Sequence, residues 1–126
     1  MSTNQFTTNW LRYLEAWNQR DVNLMDRLTD ECMTTDAIFH MPGWPDMGSG
    51  SAAQKKFARE VIVNNPNFHI SVDDVLFDEG KMILRCTIQL NNPTTGAVES
   101  YSVLEIDHVV DGKIAEGWTL AVPGIW

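Results

Sequence analysis

The 126-residue chain has few cysteines, few cations and no long apolar run. Its two cysteines, Cys32 and Cys86, lie far apart and outside any Cys-x-x-Cys spacing. That argues against a disulfide scaffold and fits a reduced, cytoplasmic protein. Nine Lys and Arg against 17 Asp and Glu give a formal net charge of −8. Such a surface repels phosphate backbones and anionic lipid, so neither nucleic acid nor a membrane is an expected partner. No apolar stretch approaches the roughly 18 residues of a membrane span. The opening MSTNQFTTNW lacks the basic and apolar regions of a secretory signal. No glycine-rich phosphate loop, GxSxG elbow or basic-aromatic patch occurs. His40, His69 and His108 form no HxxxH or HxxE pattern, so neither a metal nor a cofactor is expected.

What is present suits one globular domain over residues 1–126, with 44% hydrophobic residues. A chain this long buries roughly two thirds of its unfolded surface and needs no disulfide or metal to fold. Phe6, Trp10, Tyr13, Leu14 and Trp17 recur at helical spacing. Thr3, Asn4 or Thr7 could cap that helix. A short second helix is expected over about Val22 to Leu28, capped by Asp21. A strand, DAIFHM, follows and ends at Pro42. PGWPDMGSG is turn chemistry, and SAAQKKFAREVIVNN reads as a third helix with Ala53, Phe57, Val61 and Ile62 on its apolar side. From residue 67 the period drops to about two. FHISVDDVLF, KMILRCTIQL, ESYSVLEIDHVV and KIAEGWTLAV are strand-like, with breaks at Glu79-Gly80, residues 91–96 and Asp111-Gly112.

Helices first and hairpins after them imply an α+β fold. The N-terminal helices should pack in the concave face of a curved antiparallel meander, giving a cone-shaped barrel with an apolar interior. On KMILRCTIQL, Met82, Leu84, Cys86, Ile88 and Leu90 should face inward, with Arg85 on the outer face.

Three segments resemble the nuclear-transport-factor-two-like superfamily, which includes SnoaL-type polyketide cyclases, ketosteroid isomerases and limonene epoxide hydrolases. They are RYLEAWNQRD, TDAIFHMPGWPDMGSGSAAQKKF and VVDGKIAEGW. The resemblance implies a hydrophobic pocket, a small cyclic or polyketide-like hydrophobic ligand, and a homodimer through the outer sheet face. Such a protein would be a cofactor-free isomerase, cyclase or dehydratase, or else a non-catalytic binding module. Tyr13 matches the isomerase tyrosine that donates a hydrogen bond to a developing enolate oxygen. Asp107 is a candidate match for the second, protonated donor. Met41 stands where the isomerase has its aspartate base, and a thioether cannot accept a proton near neutral pH. Val122 stands where SnoaL-type cyclases often carry an acid.

Each candidate also has a plain structural reading. The buried Tyr13 hydroxyl needs a partner, either a structural group or Asp107. Asp107 points inward as a neutral acid or outward as a solvated charge; Glu105 shares its parity, and two carboxylates on one inner face would be costly. Glu116 shares parity with Ile114, Trp118 and Leu120, so it either enters the cavity or forms a salt bridge at its closed end. His40 alternates with Met41 and should face out if Met41 faces in. Asp46 suits a self-bonded turn. Expected pocket residues are Trp17, Met41, Trp44, Phe57, Leu84, Cys86 and Trp118, with Cys86 as a small buried hydrophobe.

Overall fold

The computed structural model describes residues 3–44 and 48–126, with side chains of the first helix from residue 5 onward. Helix α1 (Thr3–Gln19) forms where the aromatic stripe predicts it, and Phe6, Trp10, Tyr13, Leu14 and Trp17 are all buried. Caps at Thr3 or Asn4 lie outside the described side chains, and Thr7 is within the helix. Arg20 ends the helix in the left-handed region, and its guanidinium donates to the carbonyl of Pro66 at 2.7 Å. Asn18 bonds both the carbonyl and the amide of Ile70, at 2.9 and 2.8 Å. These contacts fasten α1 to the start of the sheet.

Helix α2 (Val22–Cys32) is capped by Asp21, which accepts from the Leu24 amide at 3.1 Å. It continues past the expected end at Leu28 because Thr29 and Cys32 are also buried. Strand β1 (Met33–His40) follows directly. Helix α3 (Ser51–Asn64) begins after Gly50, whose φ of 91° and position against Thr35 admit no side chain: a Cβ there would lie 2.5 Å from the Thr35 carbonyl oxygen.

Strands β2 (His69–Asp78), β3 (Lys81–Asn91), β4 (Val98–Val110) and β5 (Lys113–Pro123) form the expected antiparallel meander. Two hairpins turn on Glu79-Gly80 and Asp111-Gly112, each pair with positive φ at both residues, as primed turns require. The sheet order is β1-β5-β4-β3-β2, and β1 joins β5 in parallel. The sheet is therefore mixed and unclosed rather than a purely antiparallel barrel. The α+β class stands: three helices cover one face of a curved five-stranded sheet. Met82, Leu84, Cys86 and Leu90 are buried on that face, while Arg85 lies on the other, beneath the Trp126 ring. Among the described residues no helix is long and apolar enough to cross a membrane.

Candidate active site

A cavity of about 140 Å³ lies between the helices and the sheet. Trp10, Tyr13 and Trp17 border it from α1, and Gln54, Phe57 and Val61 from α3. Phe39, His40, Met41 and Trp44 form a rim at the end of β1. The sheet contributes apolar side chains together with Glu105 and Thr119. Of the expected pocket residues, Trp17, Met41, Trp44, Phe57 and Cys86 border this cavity. Leu84 is buried in the core and does not line the cavity.

Trp118 and Glu116 are not inside. Trp118 is 43% exposed and stacks on His40, with ring centroids 5.6 Å apart. Glu116 Oε2 pairs with His40 Nε2 at 2.7 Å on the outer face. Register explains the difference. His108 pairs with Glu116 but Val109 pairs with Ile114, so Ala115 is an extra residue in β5. Beyond this bulge the inward set becomes Gly117, Thr119 and Ala121. Parity counted from Ile114 therefore gives the wrong face for every later residue. His40 faces outward, as the alternation with Met41 requires. Asp46 lies outside the described residues.

Tyr13 is fully buried, and its oxygen accepts a hydrogen bond from Gln54 Nε2 at 2.9 Å. The partner is thus a structural amide rather than Asp107. Burial pushes the phenol up, the Gln54 bond opposes that rise, and the nearby Glu105 charge adds to it. Gln54 is absent from the apolar face read off the sequence. Its spacing from Phe57 and Ala58 was the available signal, since all three turn toward the core.

Asp107 points inward and has no exposed surface. Neither of its oxygens has a hydrogen-bonding partner among the described residues. It lies behind the cavity wall, against Gly117, where an added Cβ would stand 2.3 Å from Asp107 Oδ1. Glu105, two residues earlier, points the same way and does line the cavity. Its Oε2 is likewise enclosed without a partner. The two costly carboxylates occupy one inner face after all. Burial raises both. For Asp107 the rise is large, and the neighbouring Glu105 charge adds to it. For Glu105, bonds from Asp107 and Thr119 pull back against the burial.

Glu105 is therefore the cavity-facing acid that the sequence reading did not select. The alternation Val103, Glu105, Asp107, Val109 carried the signal. Cys86 borders the same space, and burial pushes its thiol up to about 12, with Glu105 adding to the rise; it is inert packing. Among the described residues no group of three or more His, Cys, Asp or Glu could hold a metal ion.

The architecture has counterparts among solved structures. TsrD from Streptomyces laurentii superposes with a TM-score of 0.78 at 19% identity, covering 96% of this chain and 90% of that one. An LEH-like epoxide hydrolase of M. tuberculosis gives 0.75 at 15% identity, covering 95% and 84%. A SnoaL-like polyketide cyclase from Agrobacterium tumefaciens gives 0.72 at 13% identity, covering 97% and 93%. At these identities the likeness is one of fold. No curated protein matches the sequence. The model of the SnoaL-like domain matches residues 10–117, and the chain belongs to that family.

Proposed function

We propose that this SnoaL-like domain encloses a small hydrophobic molecule and moves a proton on it without a cofactor, as an isomerase, cyclase or dehydratase. One observation carries the reading: a phenol and a carboxyl, Tyr13 and Glu105, border the same otherwise largely apolar cavity. Gln54 donates to the Tyr13 oxygen, so the phenol keeps its own proton, which can turn from the neighbouring Thr29 hydroxyl to a ligand. A ligand oxygen that gains negative charge would take it. Met41 borders the rim and cannot act as a base, so Glu105 supplies the proton acceptor in its place.

The cavity is close in size to the roughly 150 Å³ that holds one benzene ring. A cyclic head group fills it. An adjoining groove of about 720 Å³ shares Trp44, Phe57, Val61 and Leu90 with it and is lined further out by Asn91, Asn92, Glu99 and Tyr101. It offers room for the rest of a larger, polyketide-like molecule. The test is tryptophan fluorescence during titration with cyclic ketones of increasing size. Quenching should saturate for single-ring ketones and weaken in Trp17→Phe. Absence of saturable quenching across the series would remove the reading.

The second reading is a binding module without chemistry. Two observations favour it: Met41 is apolar, and Val122 is exposed on the outer face. Turnover by the wild type and its loss in Glu105→Gln would decide against it.

Assembly belongs to the same proposal. Ile83, Ile106 and Trp118 form one row across β3, β4 and β5, and Leu104 and Leu120 continue it. All five are 40–59% exposed. A second copy packing on this face would cover them. Light scattering at micromolar concentration should give twice the 14.3 kDa of one chain. Two free, buried cysteines suit a reducing cytoplasm.

A further inference from the structure

We propose that Glu105 and Asp107 act as one acid–base pair holding a single proton at neutral pH, with Asp107 keeping the proton and Glu105 presenting the free carboxylate to the ligand. The proposal deepens the reading of Glu105 as the proton acceptor and rests on it. It assigns Asp107 a positioning role that the cavity lining alone does not reveal.

The geometry carries the argument. Both side chains project from the same face of β4, two residues apart. In register with Glu105 stand Leu84 and Thr119; in register with Asp107 stand Met82 and Gly117. No cation occupies these positions. The other titratable groups at the cavity are the Tyr13 phenol on α1 and the Cys86 thiol on β3, both kept neutral by burial, and His40 on β1, which stands at the rim and pairs with Glu116 on the outer face. Two adjacent carboxylates with no cation cannot both remain ionised away from water. One proton between them removes the repulsion and gives the enclosed oxygens the partner they otherwise lack.

Asp107 is the natural holder. It has no exposed surface and no other donor, whereas Glu105 also receives Thr119 and faces the cavity. The absence of a side chain at Gly117 makes the room: any Cβ there would occupy the place of Asp107 Oδ1. A neutral Asp107 then donates to Glu105 and orients it. In the reaction, Glu105 would take a proton from a ligand carbon next to a carbonyl. An O–H bond forms as the C–H bond breaks, and the electron pair moves onto the ligand oxygen facing Tyr13. The same proton returns to the ligand at another atom, so an isomerisation balances without any co-reactant.

The experiment needs no ligand. Carboxyl ¹³C NMR on full-length protein, with Asp and Glu side chains labelled and Glu105→Gln and Asp107→Asn used for assignment, reads each group directly. At pH 7 the Asp107 signal should be protonated and the Glu105 signal ionised. Asp107→Asn keeps a donor and should leave the Glu105 midpoint nearly unchanged. Asp107→Leu removes the donor and should raise that midpoint by about one pH unit. Both groups ionised at pH 7, both protonated, or equal Glu105 midpoints in the two variants would each overturn the proposal. If Asp107→Leu does not fold, the wild-type spectrum and Asp107→Asn still decide. Failure of ligand quenching with a confirmed shared proton would instead reject only the functional reading.

Discussion

The inner and outer faces of β4 and β5 make acids of the same type into different objects. On the outer face Glu116 meets His40 at 2.7 Å, with side chains 39% and 45% exposed. Water solvates both partners, so the contact contributes little. On the inner face Glu105 and Asp107 lie two residues apart on one side of β4, the residues in register with them carry no cation, and burial raises both. Residue type does not separate these acids; facing does. The pleat of β4 decides it for Glu105 and Asp107, and the extra residue at Ala115 decides it for Glu116. A carboxyl is available for proton chemistry here only where the fold has removed its solvent.

The sharpest way to break the comparison is to fill the space that lets the inner pair exist. Gly117→Ala places a Cβ 2.3 Å from Asp107 Oδ1 and 2.9 Å from the Phe39 ring, and the β-strand backbone offers no retreat. Overpacking at such a site costs about 3 kcal/mol. Urea denaturation should show it, and adding Asp107→Ala should recover part of the loss, with a coupling on the order of 1 kcal/mol. Full additivity of the two changes would place Asp107 elsewhere.

Tyr13→Phe tests the catalytic half of the inner face. Removing one donor to a developing oxyanion costs roughly 3 kcal/mol of barrier, or about a hundredfold in kcat. Stability should fall as well, by about 1 kcal/mol, because the enclosed Gln54 amide loses its acceptor. Steady-state kinetics on a cyclic ketone separates the two effects. An unchanged rate would take Tyr13 out of the chemistry and leave it as a packing residue.

Much of this was legible in the residues themselves. The aromatic stripe of α1, the Asp21 cap, the period change at residue 67 and the two primed hairpins are local signals, and the structure follows them. The inward run of β3 held for the same reason. Two features were not local. The parallel pairing of β1 with β5 joins segments about eighty residues apart, and no neighbouring residue announces it. The bulge at Ala115 has no glycine or proline to mark it, yet it moves Glu116 and Trp118 out of the pocket. Glu105 is legible by its shared parity with Asp107, but the cost of two carboxylates on one inner face argues against that facing. A cavity reverses that judgement: a partly sheltered carboxyl beside a second one can share a proton, and the cost becomes a raised affinity for it.

The inner pair should also leave a signature in stability against pH. Both folded-state values lie above the unfolded ones, so the folded chain binds more protons across that interval. Stability therefore declines as pH rises. The contribution is fully present below the ordinary carboxylate value near pH 4 and is lost as pH passes through the raised values, at about 1.4 kcal/mol per unit of rise. Urea midpoints measured from acid to neutral pH should fall in the wild type and fall less steeply in Asp107→Asn. A steeper fall in the variant would contradict the raised value at Asp107.

The smallest effect is expected on the outer face, and its smallness is the point. Glu116→Gln removes the partner of His40 where both are well exposed, so stability should change by less than about 1 kcal/mol. The stack of His40 on Trp118 keeps the ring in place without the carboxylate. Added salt should weaken whatever difference remains, most clearly near 1 M, where the screening length falls to about 3 Å. Turnover and ligand quenching should be unaffected, since Glu116 does not border the cavity. His40 does border its rim, which makes Glu116→Gln more informative than its chemistry suggests. A loss of turnover matching that of Glu105→Gln would mean that the histidine, oriented by its carboxylate, reaches the ligand from the mouth. The active acid–base group would then lie at the rim, and the division between a working inner face and an inert outer one would fail.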